Sequence, residues 1–209
     1  MSYLLMAVIG YLIGCLQFAY IFGRVFKGID IRTLGHGNSG ASNAVQSMGW
    51  KYGVAVAILD ILKAVAAIIL VRVLFPQEVS ADGPLVSYWT GAAVVLGHNY
   101  PFFMGFKGGK GTASTVGFLL ALDYRIGIAA ILLVLAVTIA TDYIVIGTMA
   151  MLGLILIYTF VMDFGLFCIL IALGMTIQSV LKHLPNLKRI AKGEENGLRG
   201  TIKRKRSHD

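Results

Sequence analysis

The chain has 209 residues, of which 57% are hydrophobic and 13% charged, with a mean hydropathy of +0.80. That excludes an ordinary soluble domain, which is nearer to about half apolar and about a quarter charged. The net charge of +8 would suggest nucleic acid on a soluble protein, but the basic residues flank apolar spans or sit in the C-terminal tail, no nucleic-acid-binding motif is present, and nucleic acid is not read as a partner.

In chain order, the apolar run Tyr3–Phe22 is the first span. Its positive charges, Arg24 and Lys27, follow rather than precede it, so it reads as a retained helix and not a signal peptide. A polar, glycine-rich stretch, Arg24–Lys51, leads into the second span, Tyr52–Leu74. An acidic loop, Gln77–Asp82, precedes the third, Val86–Tyr100; a polar stretch, Pro101–Gly111, precedes the fourth, Thr112–Leu122. Spans five to seven are Ile126–Thr141, Tyr143–Val161 and Phe164–Leu181, and a basic cytoplasmic tail begins at about Lys182. The pattern predicts an all-α, polytopic membrane protein of seven transmembrane helices in a single domain, residues 1–209. The third and fourth spans are shorter than the roughly 20 residues a bilayer core takes. Either their ends lie elsewhere, or the loop between them dips into a protein-lined cavity, where irregular backbone is tolerated. Cys15 and Cys168 fall inside apolar runs and read as small core residues, not as a disulfide or metal site.

Alternating the loops places 15 of the 18 Lys and Arg residues on one side. The positive-inside bias makes that side cytoplasmic, puts the C-terminus inside and leaves the N-terminus outside. The segment Ile202–Arg206 reads either as a contact for anionic headgroups or as a solubilised tail end.

Three cytoplasmic segments carry candidate chemistry. In the second inner loop, Lys107-Gly108-Gly109-Lys110-Gly111 stands directly before a helix. Glycines let a backbone approach an anion, successive N–H groups and a helix N-terminus favour negative charge, and two lysines add full charge. It is not a Walker A loop, since Gly111 stands where Ser or Thr is needed. The first inner loop, Leu34–Gln46, is rich in Gly, Ser and Asn, and reads as a turn or as a polyol- or phosphate-binding segment. The third segment runs from Lys182 to Glu195. Asp60 and Lys63, at i and i+3 in the second span, share a helix face and read as an ion pair that anchors packing or as a ligand contact. No nucleophilic triad, His-x4-Asp signature or metal-ligand spacing is present, and no metal or cofactor is expected.

These segments together resemble the bacterial acyl-phosphate:glycerol-3-phosphate acyltransferases, the PlsY family. The middle motif carries it best: Gly97-His98, Pro101, Phe103, Phe106 and Lys107–Gly111 stand as in that family. Asp60 and Lys63 fit, and the terminal motif is matched at His183, Asn186, Arg189, Gly193 and Glu195. The first motif keeps Gly35, Gly37, Asn38, Gly40, Ala41 and Asn43, but has His36 for a serine, Ser42 for a threonine and Gln46 for an arginine. Leu184 and Val145 are further departures. The resemblance implies a bacterial inner (cytoplasmic) membrane enzyme that moves an acyl group from acyl phosphate to glycerol 3-phosphate, giving lysophosphatidic acid. Lys107, Gly108, Gly109, Lys110 and Gly111 would bind phosphate. Asn38, Ser42, Asn43 and Gln46 would line the site, and His183, Asn186 and Glu195 would close it. The donor's own phosphate would take the hydroxyl proton, with His36 as the competing base. The departures also admit a non-catalytic or altered-substrate paralogue that binds phosphorylated lipid precursors, and a transporter is a third reading. Oligomeric state is not legible. A reporter fused after Asp209 is expected to report a cytoplasmic position; activity outside would overturn the topology.

Overall fold

The protein is described by a computed structural model over residues 1–206, with side chains to residue 202. The side chains of the basic run from Lys203 onward, and so most of the headgroup-contact reading, lie outside the described residues. Two compact units divide the chain, Met1–Gly127 and Ile128–Asp209. All the described regular elements are helical: α1 (Ser2–Gly14), α2 (Phe18–Lys27), α3 (Ala41–Met48), α4 (Trp50–Leu74), α5 (Pro76–Asn99), α6 (Thr112–Leu122), α7 (Tyr124–Thr141), α8 (Ile144–Val161), α9 (Gly165–Ala191) and α10 (Leu198–Arg206). Among them five segments are long and apolar enough to cross a membrane: Ser2–Lys27, Trp50–Leu74, Tyr124–Thr141, Ile144–Val161 and Gly165–Ala191. The predicted third span is the second part of α5. The predicted fourth is α6, whose 11 residues reach about 16 Å, short of a bilayer core of roughly 30 Å.

Several boundaries differ from the sequence reading: α9 continues past Leu181 to Ala191, α2 past Phe22 to Lys27, and α3 forms within the stretch read as the first loop. The first span is broken at Cys15–Gln17, between α1 and α2. The expected acidic loop at Gln77–Asp82 is helical, with one non-helical residue, Asp82, at φ −156° and ψ 79°. Asp82 is the N-cap of the helix that follows. Its Oδ1 accepts from the Leu85 N–H at 2.9 Å, and Pro84 sits in the first turn, where a missing N–H costs nothing.

In a bilayer there is no hydrophobic gain between helices, so association depends on close van der Waals contact at small residues. In the first unit α1 lies against α5 through glycine. A Cβ on Gly10 would meet the Thr90 carbonyl, one on Gly14 the Val94 carbonyl, and one on Gly97 the Tyr11 carbonyl. Gly117 of α6 does the same against Ile61 of α4. Large apolar side chains are left outward instead: Val54, Ile58, Leu62 and Ile69 along α4, and Leu166, Leu170, Leu173, Ile177 and Leu181 along α9, are exposed. Their helical spacing marks one face of each helix, as lipid contact requires.

In the second unit the α7–α8 turn passes through Asp142 at φ 75°. Its carbonyl accepts from the Leu198 N–H at 2.8 Å and its Oδ1 from the Arg199 N–H at 2.7 Å, so the start of α10 is fixed to that turn. The glycine contacts carry a measurable consequence. Gly97→Ala is expected to destabilise the protein by about 1–3 kcal/mol through overpacking, read as a lower midpoint of unfolding in detergent.

Candidate active site

The polar centre of the first unit is Lys63, on α4. Its Nζ lies 2.7 Å from Asp60 Oδ1, one turn away, and both side chains are almost fully buried. The same ammonium donates to the Leu16 carbonyl at 2.6 Å and sits 2.9 Å from His98 Nδ1. It also lies 5.7 Å from the centre of the Phe18 ring, a cation–π distance. The break between α1 and α2 is what frees the Leu16 carbonyl. Gln17, also buried, donates from Nε2 to the His98 carbonyl at 2.9 Å and accepts from Ser39 Oγ at 2.5 Å. One side chain therefore ties the first inner loop to the end of α5. Removing a single member of a buried ion pair costs roughly 3–5 kcal/mol, because the other charge is left uncompensated.

The glycine loop hangs from that same point. Gly109 N–H donates to the His98 carbonyl at 3.0 Å and Gly108 N–H to the Asn99 carbonyl at 3.2 Å. These two amides shape the loop and are not turned to an anion, contrary to the expectation that successive N–H groups form the cradle. A Cβ on Gly108 would meet the His98 carbonyl and Pro101, and one on Gly109 the His98 ring, so the requirement for glycine there is steric. Gly111, at φ +87°, needs its left-handed backbone as the N-cap of α6. The first amides of α6 have no intrahelical acceptor and carry the positive end of its dipole. Behind them Ser114 is fully buried, and its Oγ has no hydrogen-bonding partner among the described residues. Lys107 is exposed and Lys110 half-buried.

In the first inner loop Asn43 is buried, and its amide works on backbone. Nδ2 lies 3.0, 3.1 and 2.8 Å from the carbonyls of Ile31, Leu34 and Asn38, sharing its two hydrogens among them, and Oδ1 accepts from the His36 N–H at 2.7 Å. Asn38 Oδ1 accepts from the Gly40 N–H at 3.0 Å. His36 Nε2 and Gln46 Nε2 are 3.0 Å apart, so two of the residues that depart from the family pattern contact each other. Ser42 is exposed. Arg32 joins this loop to the glycine loop by donating to the Met104 carbonyl at 3.1 Å. Gln17, Ser39 and Arg32 were not singled out from the sequence. The usable signal was Gln17, a lone amide inside an apolar run.

In the second unit, His183 and Asn186 are buried on one face of α9. His183 Nδ1 lies 2.8 Å from the Ser179 carbonyl. Asn186 Nδ2 and Arg189 Nε each donate to Glu195, both at 2.6 Å. The residues of the terminal motif therefore hold one another. Cys15 and Cys168 are both buried.

Asp30, outside the spans, accepts from Arg32 at 2.7 Å and from Arg24 at 3.1 Å, and both guanidinium groups lie 5.3 Å from the Tyr20 ring centre. The Arg32 hydrogen bond, helped by its N–H and by both positive charges, holds the Asp30 carboxyl down at about 2. A depressed carboxyl stabilises the fold above its unfolded value, near 3.8, and that contribution is lost as pH falls through about 2. Asp30→Asn is therefore expected to lower thermal stability at pH 6 and to have a much smaller effect near pH 2, as read by unfolding in detergent across that range.

The chain matches the glycerol-3-phosphate acyltransferase family over residues 4–193. It is 42% identical to glycerol-3-phosphate acyltransferase 1 of Oceanobacillus iheyensis, over 99% of this chain and 100% of that one. It is 35% identical to the glycerol-3-phosphate acyltransferase of a Thermoanaerobacter species, over 93% of this chain and 94% of that one. Its fold is similar to the crystal structure of PlsY, an integral membrane glycerol 3-phosphate acyltransferase in its glycerol 3-phosphate form. The TM-score is 0.85 at 30% identity, covering 97% of this chain and 98% of that one. The lysophosphatidic acid form of PlsY matches with a TM-score of 0.81 at 30% identity, covering 97% of each chain. This chain, a multi-pass integral membrane protein, belongs to the glycerol-3-phosphate acyltransferase family.

Proposed function

We propose that the chain transfers a fatty acyl group from acyl phosphate to the 1-hydroxyl of glycerol 3-phosphate, working as one functional domain at the cytoplasmic face of a bacterial inner membrane. Seven spans, with the N-terminus outside and the C-terminus inside, fit the loop charges. They also fit the Arg32–Met104 contact, which needs the first two inner loops on one side, and the Asp142–Arg199 contact, which needs the α7–α8 turn and the tail on one side.

The observation that carries the reading is the Gln17 junction, which joins the Ser39 loop and the glycine loop at one polar point. Lys107 and Lys110, the left-handed Gly111 and the first turn of α6 then offer positive charge to a phosphate. Gly108 and Gly109 give the loop its shape. Asn38 and Asn43 hold the first loop, which also carries the exposed Ser42 and the half-buried His36 and Gln46. His183, Asn186 and Glu195 are assigned to the reaction on the motif they match. The glycerol hydroxyl oxygen attacks the acyl carbonyl carbon, the bond from that carbon to the phosphate oxygen breaks, and the departing phosphate takes the hydroxyl proton. The products are 1-acyl-glycerol 3-phosphate and inorganic phosphate. Positioning and charge stabilisation supply the rate. Membership of a family whose named relatives are acyltransferases favours an enzyme over a non-catalytic paralogue.

Purified protein given acyl phosphate and glycerol 3-phosphate is expected to release phosphate and lysophosphatidic acid. Lys110→Ala should lower that rate on the order of a hundredfold, the usual effect of deleting a charge-stabilising donor. Equal rates for the two proteins would end the reading.

A further inference from the structure

We propose that Asp60, Lys63 and His98 form a positioning relay that sets the glycine loop, so that the buried ion pair serves substrate binding and not helix packing alone. The relay rests on the proposed function for its substrate, but its geometry stands independently.

An ammonium group has three donors and no acceptor. Lys63 Nζ is at hydrogen-bonding distance from the Leu16 carbonyl at 2.6 Å and His98 Nδ1 at 2.9 Å, and makes a close ion contact with Asp60 Oδ1 at 2.7 Å. His98 Nδ1 must accept from it, because a lysine ammonium has no lone pair to offer. Asp60 Oδ1 lies 3.5 Å from the same nitrogen, too far for an ordinary hydrogen bond to compete. The ring proton is therefore on Nε2. That nitrogen is turned to the loop, where a Cβ on Gly109 would fall on it. The carbonyl of the same residue accepts from the Gly109 N–H at 3.0 Å and from Gln17 at 2.9 Å. Ring and main chain of His98 thus both bear on Gly109, and Lys63 fixes the tautomer and the ring plane. Supporting groups of this kind hold a site's geometry without touching its ligand. Asp60 alone would answer only one of the three ammonium donors, and it is the use of a ring nitrogen at the end of α5 as a further acceptor that ties the pair to the loop. Here the ammonium also reaches a separate helix and the break in the first span.

Two variants separate the roles. His98→Ala removes the ring and leaves the ion pair intact. Asp60→Leu with Lys63→Met removes both charges together and leaves no charge uncompensated. Each is purified in detergent, checked by thermal unfolding, and read in two ways. Without substrate, amide exchange across residues 107–112 is expected to quicken about tenfold, while the centres of α4 and α6 stay protected. With substrates, KM for glycerol 3-phosphate is expected to rise about tenfold with a much smaller change in kcat. Folded variants with wild-type loop exchange and wild-type KM would overturn the relay. If the double variant does not fold, His98→Ala decides alone. If the unaltered protein shows no turnover, the proposed function fails, and the exchange measurement still decides the relay.

Discussion

A lysine ammonium enclosed by helices is the constraint from which the rest of the first unit follows. A charge in that position needs every donor answered, and Lys63 is answered from three separate places: its own helix, the end of α5 and the break in the first span. The break in turn exposes carbonyls that lipid cannot satisfy. Lys63 takes that of Leu16, and the Gln17 amide lies 3.5 Å from that of Gly14. The interrupted helix and the buried charge therefore require each other. Restoring a continuous helix through Cys15–Gln17 would strip the ammonium of an acceptor, and removing the ammonium would strand a carbonyl.

Glycine then does two different jobs. Between helices it permits approach, as Gly10, Gly14 and Gly97 do where α1 meets α5. In the inner loop, Gly108 and Gly109 have ordinary backbone angles but no room for a Cβ, whereas Gly111 uses a left-handed angle to start α6. Because the Gly108 and Gly109 amides are bonded to the carbonyls of Asn99 and His98, the proposed attraction of the loop for an anion is left to its lysines and to the α6 N-terminus. The two middle glycines serve that attraction by letting the loop lie flat on His98.

Hydropathy made the long helices legible, and helical spacing put Asp60 and Lys63 on one face. The glycine loop stood out because composition changes abruptly there. The break at Cys15–Gln17 was not legible, since apolar runs report burial and not backbone hydrogen bonding, and Gln17 looks like a minor interruption. The start of α5 is hidden for a related reason: Gln77–Asp82 is polar enough to read as loop, yet Asp82 caps a following helix and Pro84 suits its first turn. In sequence Asn43 reads as lining a site, because sequence cannot tell an amide that faces a ligand from one that faces its own loop. Three carbonyls within 3.1 Å of its nitrogen show that it faces the loop.

The departures in the first motif follow the same logic. His36 and Gln46 stand where the family pattern has serine and arginine, and their side chains meet at 3.0 Å. Glutamine offers an amide where arginine offers a fixed, charged fork, so that position supplies no permanent charge in this chain. The imidazole beside it can donate or accept, and the Asn43 amide holds its main chain in place. The other nearby guanidinium, Arg32, is committed to Asp30 and to the Met104 carbonyl. On the proposed phosphate-binding role, the permanent positive charge offered by the glycine loop is that of Lys107 and Lys110, carried by a loop whose main chain is bonded to His98. A departure in one loop raises the demand on the geometry of the other, which is why the path from Lys63 through His98 to Gly109 bears on the chemistry as well as on the fold.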